Sequence, residues 1–223
     1  MSDVRALVER LEKMDTCTVS DALDALGLPG SIIGIRPLWE CPKIAGRVKT
    51  VGLGPAAEAK GLPARHLGSA AIAASEPGDV IVVDNRAGKG ESAGWGGLLS
   101  LAASIKQVAG VVVYGAARDV DDVAEVGLPY YAHSATPRTA RARTVEISNG
   151  EPLELENVVL EEGDLVLADR SGVVFLSAAN ASEVLDKADE LYAKEAEMAA
   201  QLRAGVTVTD VLSGNYESML KKG

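Results

Sequence analysis

Two β-branched runs, residues 80–84 (V-I-V-V-D) and 111–114 (V-V-V-Y), bracket a glycine-rich loop and a helical repeat, a succession that restricts the chain to an α/β fold with parallel neighbouring strands. The loop closes with G-W-G-G, ending at Gly97. Leu98, Leu101, Ala102, Ile105 and Val108 then recur at helical spacing as one apolar face, and Gly110 stands where a helix C-cap belongs. Strands as uniformly apolar as these are covered on both faces. Arg118 and Asp119 follow the second strand directly, at the carboxyl edge where open α/β sheets gather their ligands.

With the helix as the usual crossover, the glycine loop and the charged pair meet above neighbouring strand ends. The backbone at Gly96 and the free N–H groups of Gly97, Leu98 and Leu99 at the helix start then form an anion site. Arg118 adds a planar fork suited to a carboxylate or phosphate. Asp119 would repel such an anion unless a cation lay between them, and a divalent metal such as magnesium, which takes one or two carboxylates and keeps several waters, meets that need. The local sequence equally permits Arg118 and Asp119 to form a surface ion pair at a strand end.

The remainder of the chain narrows the function classes. A length of 223 residues, 47% of them hydrophobic, allows one globular domain with a sizeable core. A net charge of -10 argues against direct nucleic-acid binding, since phosphate backbones select basic surfaces, but leaves a basic protein partner open. The first fifteen residues read as a charged amphipathic helix, and no run reaches membrane-span length, so a soluble, cytoplasmic protein without membrane attachment is expected. Cys17 and Cys41 lack the spacing of a zinc or redox motif and read as small buried hydrophobes.

Thr18 or Ser20 is the expected cap of a helix ending at Gly27, followed by loop over residues 28–37. Residues 45–53 open the sheet, and residues 63–75 are expected to form a helix carrying His66. Neither His66 nor His133 is assigned chemistry. The loop 88–97 has neither the G-x-G-x-x-G spacing nor the G-K-[ST] ending of a nucleotide site, while Asp84 and Trp95 can line a pocket or shape it. Further strands are expected at 130–134, 143–147, 164–168 and 172–176, with turns at Gly150 and Gly163. Arg138, Arg141 and Arg143 form a basic cluster that can hold a distal carboxylate or remain solvated surface. In the long helix 179–204, Glu195 falls on the apolar stripe of Val184, Ala188, Leu191, Met198 and Leu202, where it needs a partner or a job unless it reaches solvent at the stripe's edge.

Gly97, twenty intervening residues, Arg118-Asp119, two more residues and Asp122 resemble the signature of the RraA-like family. That family includes the regulator of ribonuclease activity A and the class II pyruvate aldolases acting on 4-hydroxy-4-methyl-2-oxoglutarate and 4-carboxy-4-hydroxy-2-oxoadipate. The resemblance continues through P-G-D-V-I-V-V-D at 77–84, V-Y-G-A-A-R-D-V-D at 113–121 and A-D-R-S-G-V-V-F-L at 168–176, and spans roughly residues 15 to 205. One position departs: the aldolases carry an aspartate where this chain has Gly97.

The resemblance implies a single-domain swivelling β/β/α fold assembled as trimers or pairs of trimers, with sites between subunits. It implies a lyase that cleaves a 2-oxo acid to pyruvate, by retro-aldol reaction or oxaloacetate decarboxylation, with Mg2+ or Mn2+ on Asp119. Arg118 would polarise the pyruvyl unit, and Gly96, Gly97, Leu98 and Leu99 would cradle it. Glu195 lies near the position of a glutamate that the aldolases contribute from a neighbouring subunit. Gly97 removes one carboxylate from the site, which favours decarboxylation, a reaction that needs no base. The alternative is a regulatory protein masking a ribonuclease E-type partner through an acidic surface.

Overall fold

The computed structural model describes residues 2–58 and 66–212. The chain opens with helices α1 (Ser2–Leu11) and α2 (Thr16–Leu26), then short strands β1 (Ser31–Ile32) and β2 (Arg36–Pro37) and the long strand β3 (Ile44–Pro55). Next come α3 (Ser69–Ala74), β4 (Val80–Asp84), α4 (Gly97–Ile105), β5 (Gly110–Ala117), α5 (Val120–Val126) and β6 (Tyr130–Ala135). Strands β7 (Thr144–Asn149), β8 (Leu153–Leu155), β9 (Val158–Leu160), β10 (Leu165–Ala168) and β11 (Val173–Leu176) precede α6 (Ala181–Arg203) and α7 (Val208–Leu212).

Strand β3 joins two kinds of pairing. Residues 44–47 run antiparallel to β10, residues 48–52 run parallel to β4, and residues 51–55 pair antiparallel with β7. The sheet order is β1-β11-β10-β3-β4-β5-β6-β2, with β7 on β3. Within it β4, β5 and β6 are parallel neighbours, as the crossover argument requires. Alternation along β5 divides the core: Val111 and Val113 pack with α3, α4 and α5, while Val112 and Tyr114 pack with the β8–β9 hairpin. A third cluster joins α1, α2 and α6 to β10 and β11.

Several expectations shift by identifiable causes. Asp15, not Thr18 or Ser20, caps α2: its carboxylate accepts the Thr18 N–H at 2.8 Å, while Gly27 ends the helix at φ 69° as expected. Gly110 begins β5 instead of capping α4, because Gln107 takes the left-handed position at φ 59°. The Leu98, Leu101 and Ile105 face of α4 points outward, with Leu98 83% and Ile105 75% exposed. The buried face is Ser100 and Ala103. Cys41 is buried but Cys17 is exposed. The helix expected at 63–75 is described as α3, and residues 63–65 lie outside the described residues. The β8–β9 hairpin was not anticipated.

Asp169 ties the start of α2 to the turn after β10. Its Oδ2 accepts the Thr16 N–H at 2.9 Å, and its Oδ1 accepts the Thr16 hydroxyl and the Ser171 N–H, both at 2.7 Å. Burial alone would raise this carboxyl, but the hydrogen bonds from Thr16, Ser171 and Gly172 outweigh it and hold the group below its ordinary value. Its contribution to stability is therefore present above the unfolded value near ~3.9 and is lost as pH falls through the lower folded value. Asp169→Ala should cost about 1–3 kcal/mol at neutral pH, because buried Thr16 donors lose their acceptor. Urea midpoints between pH 3 and 7 should also fall less steeply with acid in the variant, and equal slopes would remove this assignment.

Candidate active site

The glycine loop is held in place before any ligand arrives. Asn85, fully buried just past β4, donates from Nδ2 to the carbonyls of Ser92 at 2.7 Å and Ala116 at 3.1 Å. The Gly94 N–H adds a bond to the Ala116 carbonyl at 2.9 Å. Trp95 is buried, with Nε1 donating to Ser100 Oγ at 3.0 Å. Its carbonyl accepts both the Arg118 N–H at 3.1 Å and the Tyr130 hydroxyl at 2.9 Å. Burial pushes the Tyr130 phenol far up, so it stays protonated and remains a donor. Loop and strand end are thereby clipped together at one carbonyl.

Beyond this clip the charged pair closes on the helix start. Asp119 caps α5 with left-handed backbone, φ 58° and ψ 40°, an uncommon conformation for a residue with a side chain. Its Oδ2 accepts the Gly97 N–H at 2.9 Å and Arg118 Nε at 3.0 Å. Glycine at 96 is required by this approach, since a Cβ there would stand 2.6 Å from Asp119 Oδ2. Gly97 is helical and needs no left-handed backbone; a Cβ there would meet Asp122 Oδ2 at 3.3 Å and Asp119 Cβ at 3.4 Å. Because Asp119 occupies the Gly97 amide, the anion cradle reduces from three N–H groups to those of Leu98 and Leu99.

Gly96, Gly97, Leu98, Leu99, Arg118 and Asp119 all line one cleft of about 450 Å³. Residues 139–142, 144 and 145 also line it, as do His66 and Trp95. On the other side of Asp119 lies an open groove bearing Asp122 and Glu125. Asp119 thus borders a cationic recess and an acidic one. Arg118 and Asp119 do form an ion pair, but at a cleft wall where the other Asp119 oxygen takes no hydrogen bond among the described residues.

The donor set suits a hard cation. Asp119 and Asp122 flank Gly97, and magnesium needs only one or two protein carboxylates when it keeps waters. Among the described residues no group of three His, Cys, Asp or Glu forms a closed cage, so softer metals that want several protein ligands are poorly served.

Other expected residues lie elsewhere. Asp84 binds Arg86, with contacts down to 2.7 Å, and does not line the cleft. His133 stands edge-on to Tyr114, ring centroids 4.8 Å apart. Glu195 is exposed on α6 beyond the last buried stripe residue, Leu191, and lines neither recess. Partial burial, followed by Asp21 and Asp15, raises its carboxyl above the ordinary value. Asn85, Tyr130 and the cleft-facing side of His66 were missed by sequence reasoning, since each acts through a contact made only by folding.

Residues 16–175 match the family model described as RraA-like: Aldolase/RraA. The chain belongs to the RraA-like family. Protein DlpA of Legionella pneumophila is 30% identical over 202 residues, which are 91% of this chain but 32% of that protein, so the chain spans about a third of that relative's length. A Halalkalibacterium halodurans protein named "Putative 4-hydroxy-4-methyl-2-oxoglutarate aldolase" is 29% identical over 198 residues, 88% of this chain and 87% of its own. Among solved structures, Streptomyces coelicolor RraAS2, titled an unusual member of the RNase ES inhibitor RraA protein family, superposes with a TM-score of 0.75 at 26% identity, covering 88% of this chain and 96% of its own. The swivelling β/β/α expectation agrees with these RraA-like neighbours. Among the described residues no helix is long and apolar enough to cross a membrane.

The RraA-like site makes Gly96 a steric test of the arrangement. Gly96→Ala should displace the Asp119 carboxylate, break its bond to the Gly97 amide and lower stability by about 1–3 kcal/mol. Thermal unfolding read beside Gly97→Ala, where contacts are only tight, checks the difference; equal effects would mean that Asp119 does not depend on this approach.

Proposed function

We propose that the protein is a divalent-metal-dependent lyase that breaks a C–C bond of a 2-oxo acid to give pyruvate. Its reaction is retro-aldol cleavage of a 4-hydroxy-4-methyl-2-oxoglutarate-type acid, oxaloacetate decarboxylation, or both. The observation that carries this is the convergence, on one cleft, of two helix-start amides, the Arg118 guanidinium and the Asp119 carboxylate with Asp122 beside it. Halalkalibacterium halodurans and Burkholderia relatives carrying aldolase names support the reaction class.

The Leu98 and Leu99 N–H groups bind the carboxylate of the pyruvyl unit. Arg118 uses Nε on Asp119 and keeps its two Nη groups for the 2-oxo oxygen and the same carboxylate. Asp119 and Asp122 would hold a divalent cation, Mg2+ or Mn2+, which would supply Lewis-acid polarisation of the 2-oxo group. As the bond beyond C3 breaks, its electron pair moves into the 2-oxo system as an enolate, whose charge Arg118 stabilises. Protonation at C3 then releases pyruvate. Oxaloacetate loses CO2 without any proton being removed. A 4-hydroxy acid must also give up its hydroxyl proton, and this falls to a water held by carboxylates such as Glu195 of a neighbouring copy.

The same surface supports the assembly proposed for it. The exposed Leu98, Leu101 and Ile105 face of α4 borders the candidate site, and a second copy in a trimer or pair of trimers would cover it. A second reading, a regulatory protein that masks a ribonuclease, is favoured by the likeness to the Streptomyces RNase ES inhibitor family member. Oxaloacetate turnover with added metal, beside pull-down of ribonuclease E-type partners, separates the two.

A chelator should abolish oxaloacetate decarboxylation, and Mg2+ or Mn2+ should restore it. Asp119→Ala should lose the metal response, and Arg118→Ala should lower turnover by about 10²- to 10³-fold. Unchanged turnover in either variant sinks the assignment. For the shared site, Glu195→Ala and Arg118→Ala proteins should each fail at retro-aldol cleavage yet regain part of it after subunit exchange. No recovery despite demonstrated exchange would exclude Glu195 from a neighbour's chemistry.

A further inference from the structure

The turn that carries His66 is anchored by buried contacts. Gly68 takes a left-handed backbone at φ 69°, and a Cβ there would stand 2.4 Å from Trp95 Cζ3, so the turn lies directly against the indole. Glu146 of β7, 8% exposed, accepts the Gly68 N–H at Oε2, 2.7 Å away, while its buried Oε1 has no partner among the described residues. Burying a carboxylate is costly, and the hydrogen bond it makes here serves this turn. The His66 carbonyl accepts the Ser69 N–H at 3.1 Å and the Ser69 hydroxyl at 2.8 Å, and Leu67 packs on the cluster that contains Trp95.

The backbone is thus committed while the side chain is free. His66 is exposed, lines the cleft, and its ring takes no hydrogen bond or ion pair among the described residues. The titratable side chains on the cleft lining are His66, Arg118, Asp119 and Arg141. Arginine keeps its proton in proteins, and Asp119 Oδ2 already accepts from the Gly97 amide and Arg118 Nε. Of this set only His66 is of the residue type that gains and loses a proton near neutral pH.

Release of pyruvate leaves one proton transfer without a donor. We propose that His66 is the acid that protonates C3 of the pyruvate enolate. This rests on the lyase reading of the cleft. Once the bond beyond C3 has broken, the C2–C3 π pair takes the imidazolium proton to form a C3–H bond, and the 2-oxo group is restored. The ring, left neutral, regains its proton from the solvent to which it is open. Retro-aldol cleavage and decarboxylation both end in this step, so one residue serves either reaction. Run backward, the same step has the neutral ring take a methyl proton from bound pyruvate.

The test follows deuterium entering the methyl group of pyruvate by NMR, with the full chain and Mg2+ in D2O and Mg2+ alone as the blank. Wild-type protein should exchange these protons well above the blank. His66→Gln should slow exchange by about 10²- to 10⁴-fold, the usual worth of a placed acid or base, and calorimetric titration should show that the variant still binds pyruvate. Because the neutral ring is the base in this direction, wild-type exchange should climb as pH rises through imidazole's titration range, and that limb should vanish in His66→Gln. Arg118, Arg141 and Asp119 are the charged groups that share the described lining with the ring, and Glu146 holds its turn. Exchange in His66→Gln equal to wild type would assign the proton to solvent and overturn the proposal while the lyase reading stands. Exchange and pyruvate binding lost together would make His66 a residue that shapes the cleft, which also overturns it. No exchange in the wild type would remove the pyruvate-enolate reading, and this assignment with it.

Discussion

One carboxylate oxygen holds the candidate site together. Asp119 Oδ2 accepts from the first amide of α4 and from the side chain at the end of β5, while its own backbone starts α5. Three successive elements therefore meet at one residue. The close approach leaves no room for a Cβ at Gly96, and it consumes the Gly97 amide, so the donors left for a ligand are the next two. The Trp95 carbonyl repeats this logic one layer deeper, where Tyr130 and the Arg118 amide meet.

Much of this geometry was legible in the sequence because it depends on local rules. A strand, a glycine loop, a helix and a strand in succession impose a right-handed crossover, and the crossover alone carries Arg118 and Asp119 to Gly97. The turns at Gly150 and Gly163 were legible for the same reason, since their backbones take φ 77° and φ 100°. What escaped depends on long-range packing. Nothing near Asn85 or Tyr130 in the chain says that their side chains will reach the carbonyls of Ala116 and Trp95. Glu195 shows the limit from the other side: its helical phase continues the buried stripe, but the core beneath that stripe ends at Leu191.

Helix α4 separates periodicity from burial. Its apolar residues do recur on one face, as an amphipathic helix requires, but the sheet lies against Ser100 and Ala103 instead. Ser100 accepts a bond from the Trp95 indole that leucine would forbid. The spacing of leucines along a helix therefore reports where apolar surface is, not which neighbour covers it. Here that surface adjoins the groove past Asp119, so whatever covers α4 also controls access to the acidic side of the site.

The left-handed backbone at Asp119 has a bearing on how such a protein diverges. At φ 58° the residues accommodated with least strain are glycine, asparagine and aspartate, and of these only aspartate carries a charge. Asparagine and glycine codons each lie a single nucleotide from those of aspartate. A lineage can therefore shed the carboxylate in one step while keeping the turn that starts the helix. Descendants that persist as scaffolds without the charge-dependent chemistry are within easy mutational reach, and the identity of this one residue is the first thing to inspect in any relative.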